Sequence, residues 1–381
     1  MPRSSKPHVA PRPALGTGWP VAAILCGGGV RVESMTAVGT TAGIASETEG
    51  SIDPVVSVLV PAWNAAATLD RCLATLLAID HPPSEVIVCA GGNDGTWEIA
   101  ERTAEAHPQR ITLIAQRAGE GKQGALRDCL ARARGDILYL TDADCVVPPD
   151  TLQRLTKVVT AGEADAATGG HEPFPEQVDD PWVRHQWATL SAGDPGRSAE
   201  TTGLLGRNSA VSRAAAEAAG GFREAVPIGT DYHLAKTLLQ AGRRIRFVPA
   251  SVQTHYPEGL RPYVRQQSRW LRNILVHGPR FAEWSRVFAV VRTIGLGWVL
   301  LLWPLSWRWT RRPGAAVWLL ILAWMVRVRH HRQRNLEREE GLRPAGMWMA
   351  WCRATVYAAA DIIAWAYPIV DLARPRWKLR W

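Results

Sequence analysis

Between Val55 and Leu140 two kinds of apolar run alternate, and few folds accept that order. Val55-Val-Ser-Val-Leu-Val-Pro61 is continuous, rich in β-branched residues and stopped by proline, as a buried strand should be. From Thr68 to Ile79 the period changes: Leu69, Cys72, Leu73, Leu76 and Leu77 fall on one helical face. Glu85-Val-Ile-Val-Cys89 reads as a second strand, broken by Gly91-Gly-Asn-Asp-Gly95. Thr96 is placed to cap a helix through Ala106, Ile111 to Ala115 is a third strand, Lys122 to Ala133 a helix, and Ile137 to Leu140 a fourth strand. This alternation predicts an α/β fold, a doubly wound and mostly parallel sheet covered by helices. Pro61, Gly91 and Asp142 then end their strands along one edge, where open α/β sheets bind ligands.

The fourth strand carries the sharpest chemical signal. Gly135-Asp-Ile-Leu-Tyr-Leu-Thr-Asp-Ala-Asp-Cys145 is an apolar run ending in two carboxylates one residue apart. Asp142 and Asp144 suit a hard cation, Mg²⁺ or Mn²⁺, whose other ligands are substrate phosphates and water. By itself an Asp-X-Asp is more often a polar turn after a strand.

Charge is unevenly placed. From Arg286 onward lie 16 of the 44 basic residues but only 5 of the 35 acidic ones, together with 11 of the 18 tryptophans. Basic and Trp-rich segments that flank apolar runs fit a membrane interface, and the same pattern excludes nucleic acid as the partner, because no polar basic face is formed. The six cysteines show no CxxC pair or zinc-like spacing, consistent with a reducing cytoplasm around the first 285 residues. Residues 1–53, rich in Pro, Gly, Ser and Thr, read as a disordered or weakly ordered extension, with Met35 the expected functional start.

The ordered motifs after Val55 are Val-Pro-Ala-Trp-Asn64, Asn-Asp-Gly-Thr96, Gly121-Lys122 with Ala125-Leu126, and Thr141-Asp-Ala-Asp144. Gly206-Arg-Asn208 with Arg213, Gly220-Gly-Phe222, Gly229-Thr-Asp231 and Gln266-Gln-Ser-Arg269-Trp270 follow. In this order they resemble the family 2 glycosyltransferases of GT-A fold, from about Val55 to Asn273. The resemblance implies an inverting transferase that takes a sugar from a nucleotide-sugar donor, with Asp142 and Asp144 holding the cation that bridges the donor diphosphate. It makes Asp231 the catalytic base, although on local grounds Asp231 is also a helix N-terminal carboxylate. It places the donor on Pro61, Ala62, Trp63, Asn64, Asp94 and Lys122, and the acceptor or diphosphate on Gly206, Asn208, Gln266, Arg269 and Trp270. The acidic residue that relatives carry after the second strand, a contact to the nucleotide base, is missing near Ala90; a UDP-sugar is the expected donor, with guanosine the alternative.

Residues 54–260 are thus expected to form the transferase domain and 261–285 an interfacial amphipathic helix, its five arginines between Arg261 and Arg280 unaccompanied by any acid. Residues 286–381 are expected to form a membrane region of two to three spans. Val287 to Leu305 is long enough to cross, Gly314 to Val326 is short, and Met347 to Val370 carries Arg353 and Asp361. The loop 327–343, with six arginines, should be cytoplasmic by the positive-inside rule, and the transferase domain with it. The expected acceptor is a lipid or lipid-linked glycan at the cytoplasmic membrane face, and the protein is expected to be a multi-pass protein of the cell membrane. A processive polysaccharide synthase or a non-catalytic membrane-anchored relative are the alternatives.

Overall fold

The computed structural model describes residues 56–79, 85–192, 198–226, 228–306 and 312–373. The expectations for residues 1–53 lie outside the described residues. From Val56 the alternation is β1 (Val56–Trp63), α1 (Leu69–Leu77), β2 (Glu85–Gly91), α2 (Thr96–Ala106), β3 (Ile111–Ala115), α3 (Gly121–Arg132) and β4 (Ile137–Thr141). There follow β5 (Cys145–Val146), α4 (Pro149–Thr160), β6 (Ala166–Pro173), α5 (Pro181–Ser191), β7 (Ala199–Glu200), β8 (Asn208–Ser212), α6 (Arg213–Ala218), α7 (Thr230–Gln240) and β9 (Ile245–Thr254).

β1 pairs in parallel with β2 on one side and β4 on the other, and β2 with β3. The order β3-β2-β1-β4 puts the reversal of winding between β1 and β4, where a crevice opens beyond the carboxyl ends of the strands. Past β4 the sheet is mixed. β8 runs antiparallel to β4 and β6, β6 parallel to β9, and the two-residue β5 and β7 antiparallel to β9.

The strand runs are continuously apolar because both faces are covered. Val58, Val60 and Tyr139 point to a core shared with Leu69, Leu73, Leu152 and Leu155. Leu59, Leu138 and Leu140 point to the opposite core, with Leu126, Cys129, Leu234 and Leu238. One expected detail differs. The N-cap of α2 is Gly95, at φ 96°, and the capping carboxylate is Asp94, which accepts from the Thr96 amide and hydroxyl.

Four helices complete the chain: α8 (Leu260–His277), α9 (Trp284–Leu302), α10 (Arg312–Glu339) and α11 (Met347–Leu372). α8 packs on α11, as does α9, through Leu271, Ile274, Val290, Ile294, Ile362 and Trp365. α9 and α11 are long and apolar enough to cross a bilayer. Much of the expected loop 327–343 is instead helix, since α10 continues to Glu339. Its arginines are spaced so that Arg329, Gln333, Leu336 and Glu337 turn inward on one face, where Leu336 meets Val183, Trp187 and Tyr256 of the sheet domain.

Candidate functional site

A cavity of about 850 Å³ lies at the switch point, lined from β1 by Pro61 and Trp63 and from the end of β4 by Asp142 and Asp144. The carboxylates are fixed by pairing on both sides. The turn after β4 closes through Cys145 N–H to Asp142 C=O at 3.1 Å, and β5 then pairs Cys145 with Thr254. The antiparallel register Thr141↔Asn208 sets Arg207 beside Asp142. Its Nε lies 3.9 Å from Asp142, its Nη1 4.0 Å from Asp144, and the same Nη1 donates to Thr254 Oγ1 at 2.8 Å. Lys122, second residue of α3, forms an ion pair with Asp142 from the opposite side.

These neighbours fix the charges. Desolvation would raise the Asp142 carboxyl, but the Lys122 ammonium and the Arg207 guanidinium together hold it below the usual carboxylate range. Burial works against the charge on Arg207, and the Asp144 and Asp142 carboxylates more than offset it, raising its pKa. Arg269 is lowered by burial and then by Arg207, while Asp231, Asp142 and Asp144 pull the other way.

Asp231 enters from the first turn of α7, accepting from the Tyr232 amide at 2.9 Å. Gly206 brings it close: a methyl group there would meet Asp231 Cβ at 3.0 Å and Lys122 Nζ at 3.5 Å. The helix-terminal role and the place in the cavity therefore coexist. α8 turns Gln266, Arg269 and Trp270 into the cavity, and Gln266 accepts a hydrogen bond from Gln186 of α5.

Four expected residues lie away from the cavity wall, the first of them Gly206, which sits against Asp231 without lining it. Ala62 is packed in the core. Asp94 orders the loop after β2, accepting from the Ala66 amide at 3.0 Å as well as from Thr96. Asn208 is buried in the sheet, where its carboxamide accepts from Tyr139 Oη and donates to the Gly170 and Ala250 carbonyls at 2.8–2.9 Å. Of Gly206-Arg-Asn208, the middle residue is the one that faces the carboxylates. Asn64 lines the cavity at φ 51° and fixes the neighbouring loop by accepting from the Asn93 amide at 2.9 Å. Ala90 is buried in the core and does not line the cavity.

Sequence reading also missed His171, His255 and Tyr256, which line the cavity from the β6 and β9 ends. His171 Nδ1 lies 2.9 Å from Tyr256 Oη, and burial followed by Arg207 pushes its pKa down to about 3. Only the pairing of distant strands brings these residues in.

Among the described residues no cluster of three or more His, Cys, Asp or Glu side chains is arranged around a metal position. The donor set is two carboxylates on one wall, and this fits Mg²⁺ or Mn²⁺, which keep waters and share phosphate oxygens.

The sequence profile described as "Glycosyltransferase like family 2" matches residues 54–273, more than half the chain and all of this site. The chain belongs to that family. An N-acetylglucosaminyltransferase of Azorhizobium caulinodans is 28% identical over 260 residues, which cover 64% of each protein. A beta-monoglucosyldiacylglycerol synthase of Synechocystis sp. is 32% identical over 181 residues, 45% of this chain and 37% of that protein. The family 2 chain thus spans just under two thirds of the first relative and little more than a third of the second. Among solved structures, the mannosyltransferase PcManGT of Pyrobaculum calidifontis, in complex with GDP-Man and Mn²⁺, superposes with a TM-score of 0.53 at 20% identity, over 84% of this chain and 88% of that one. That likeness establishes a shared GT-A fold.

Proposed function

We propose that this family 2 chain transfers a sugar, with inversion, from a nucleotide-sugar donor to a lipid or lipid-linked glycan at a membrane face. The observation that carries the reading is the approach at Gly206, which brings a free-facing carboxylate, Asp231, beside the Lys122–Asp142 pair from another wall of one cavity. A transferase needs those two chemistries side by side. The acceptor oxygen attacks the anomeric carbon, the bond from that carbon to the diphosphate breaks, and the acceptor proton passes to the Asp231 carboxylate. The departing diphosphate gains negative charge, which Lys122, Arg207 and Arg269 meet from three sides. Asp142 and Asp144 would hold the Mg²⁺ or Mn²⁺, which supplies Lewis-acid stabilisation of the leaving phosphate. Lys122, paired with Asp142 in this structure, would be free to meet a phosphate oxygen where Asp142 serves the cation instead. Trp63 and Asn64 border the base end, and a UDP-sugar is the donor we favour.

The acceptor side of the reading rests on the C-terminal helices. Phe288 on α9, Leu320 on α10 and Trp348 on α11 are 67–80% exposed, an apolar surface larger than solvent favours. We assign the membrane to α9 and α11 and the transferase domain to its cytoplasmic side.

The test is incubation of the full chain with labelled nucleotide sugars, Mn²⁺ and a lipid extract. Label should pass from one donor to an organic-extractable product, and Asp231→Asn should cut that rate by about 10²–10⁴-fold. Full transfer by Asp231→Asn would remove Asp231 as the base.

A further inference from the structure

The C-terminal helix α11, mostly apolar apart from Arg353, carries two carboxylates, and both reach the helix that roofs the cavity. Asp361, buried at mid-helix, accepts from Tyr263 Oη of α8 and from Arg329 Nε of α10, and His185 Nε2 of α5 lies 3.6 Å away. Ten residues further on, Asp371 accepts from Ser268 Oγ at 2.7 Å and faces Arg272 Nε at 3.6 Å, both on α8. His185 is also stacked on Tyr357 of α11 at 4.2 Å between ring centroids, and Tyr357 Oη donates to the Pro181 carbonyl at the start of α5.

The faces of α8 give these contacts their meaning. Tyr263, Ser268 and Arg272 turn toward α11, whereas Gln266, Arg269 and Trp270 turn into the cavity. Hydrogen bonds at two levels, from positions that bracket the face packed on α11, fix the helix in both rotation and depth, and with it the side chains turned into the cavity. α5 is tied to α11 by the Tyr357 hydroxyl and the His185–Tyr357 stack, and the residue after His185, Gln186, donates to Gln266. A buried carboxylate contributes little net stability, because its desolvation offsets much of the ion-pair gain; what it supplies is one geometry. Polar groups within an apolar helix cost enough that such a position is a candidate for function.

We propose that Asp361 and Asp371 are positioning residues for sugar transfer: α11 sets α8 so that Arg269 and Trp270 meet the diphosphate and the acceptor. The inference rests on the transferase reading above. It extends that reading by making the C-terminal helix part of the active-site scaffold as well as a membrane contact.

The test avoids deleting either carboxylate, since that would take a charged partner from the buried Arg329 or Arg272. Tyr263→Phe with Ser268→Ala removes one hydroxyl from each grip and leaves the ion pairs. Transfer rate, donor KM and thermal midpoint are measured in the wild-type and Arg269→Lys backgrounds. Positioning through Arg269 predicts a loss of about tenfold in kcat in the wild-type background and less than about twofold in Arg269→Lys, because the geometry being protected is already gone. Tyr263→Phe alone should lose an intermediate amount with an unchanged thermal midpoint. Undiminished kcat in the pair variant, or equal losses in both backgrounds, would overturn the proposal while leaving the transferase reading intact. A wild-type chain that transfers no sugar would overturn the transferase reading itself.

Discussion

His171 hydrogen-bonds Tyr256 Oη at 2.9 Å and faces Arg207, and its pKa of about 3 keeps the imidazole neutral in the folded chain. The unfolded chain takes up that proton near the ordinary value of 6.5, so folding is opposed increasingly as pH falls from about 6.5 toward about 3. Thermal unfolding between about pH 7 and about pH 5 should therefore show a falling midpoint, with a shallower fall in His171→Gln. Equal slopes would mean that His171 is not held neutral. Nothing in the sequence around Gly170-His171-Glu172 announces this residue. By contrast Asp142, Asp144 and Lys122 were legible, because a carboxylate at a strand end and a lysine at a helix start keep their chemistry wherever the rest of the chain goes. Arg207 falls between these cases: it stood inside a recognised motif, but only the Thr141↔Asn208 register shows that it, and not Asn208, turns toward the carboxylates.

The parallel elements from β1 to β4 could be read residue by residue because each apolar run is local and both faces are covered. What lay beyond reach was tertiary. The short β5 and β7 have no periodicity of their own and exist by pairing with β9. The arginines of α10 read as a cytoplasmic loop, whereas Arg329 pairs with Asp361 of α11 and Glu337 lies 4.0 Å from Arg184 of α5. Residues 261–285 show the same effect: of the five arginines expected on an interfacial helix, Arg269 turns to the cavity, Arg272 to Asp371 and Arg280, beyond the end of α8, to Glu224. Close packing of the last helices depends on a single small residue. A side chain at Gly297 of α9 would meet Trp365 Cβ at 2.8 Å and the Ala366 amide nitrogen at 2.9 Å, whereas at Gly295 it would meet nothing within 4 Å. Gly297→Val should therefore part α9 from α11 and lower the thermal midpoint in detergent, a loss of about 1–3 kcal/mol for an overpacked contact. Gly295→Val should leave it in place. Equal effects of the two would show that helix propensity, and not the crossing, governs this pair.

At the scale of the whole molecule the cavity and the apolar surface are joined through α8, which lines the cavity and packs on α9 and α11, so membrane contact and catalysis should be separable by mutation only on the outer face. Phe288, Leu320 and Trp348 lie on that face and away from the cavity. Each large side chain buried in lipid contributes about 1.5–3 kcal/mol, and every 1.4 kcal/mol is about tenfold in partition. Replacing all three by glutamine should reduce flotation with anionic phospholipid vesicles by at least about tenfold, while leaving nucleotide binding unchanged. The same variant distinguishes where the acceptor comes from. If the acceptor is a membrane lipid, label transferred to an organic-extractable product should fall in step with flotation, because enzyme in solution meets little acceptor. If the product is a high-mass polymer, its synthesis should survive the loss of flotation, and the wild-type product should stay in the aqueous phase. That second outcome would overturn the lipid acceptor while leaving Asp231 and the diphosphate site as proposed, since neither touches the outer face.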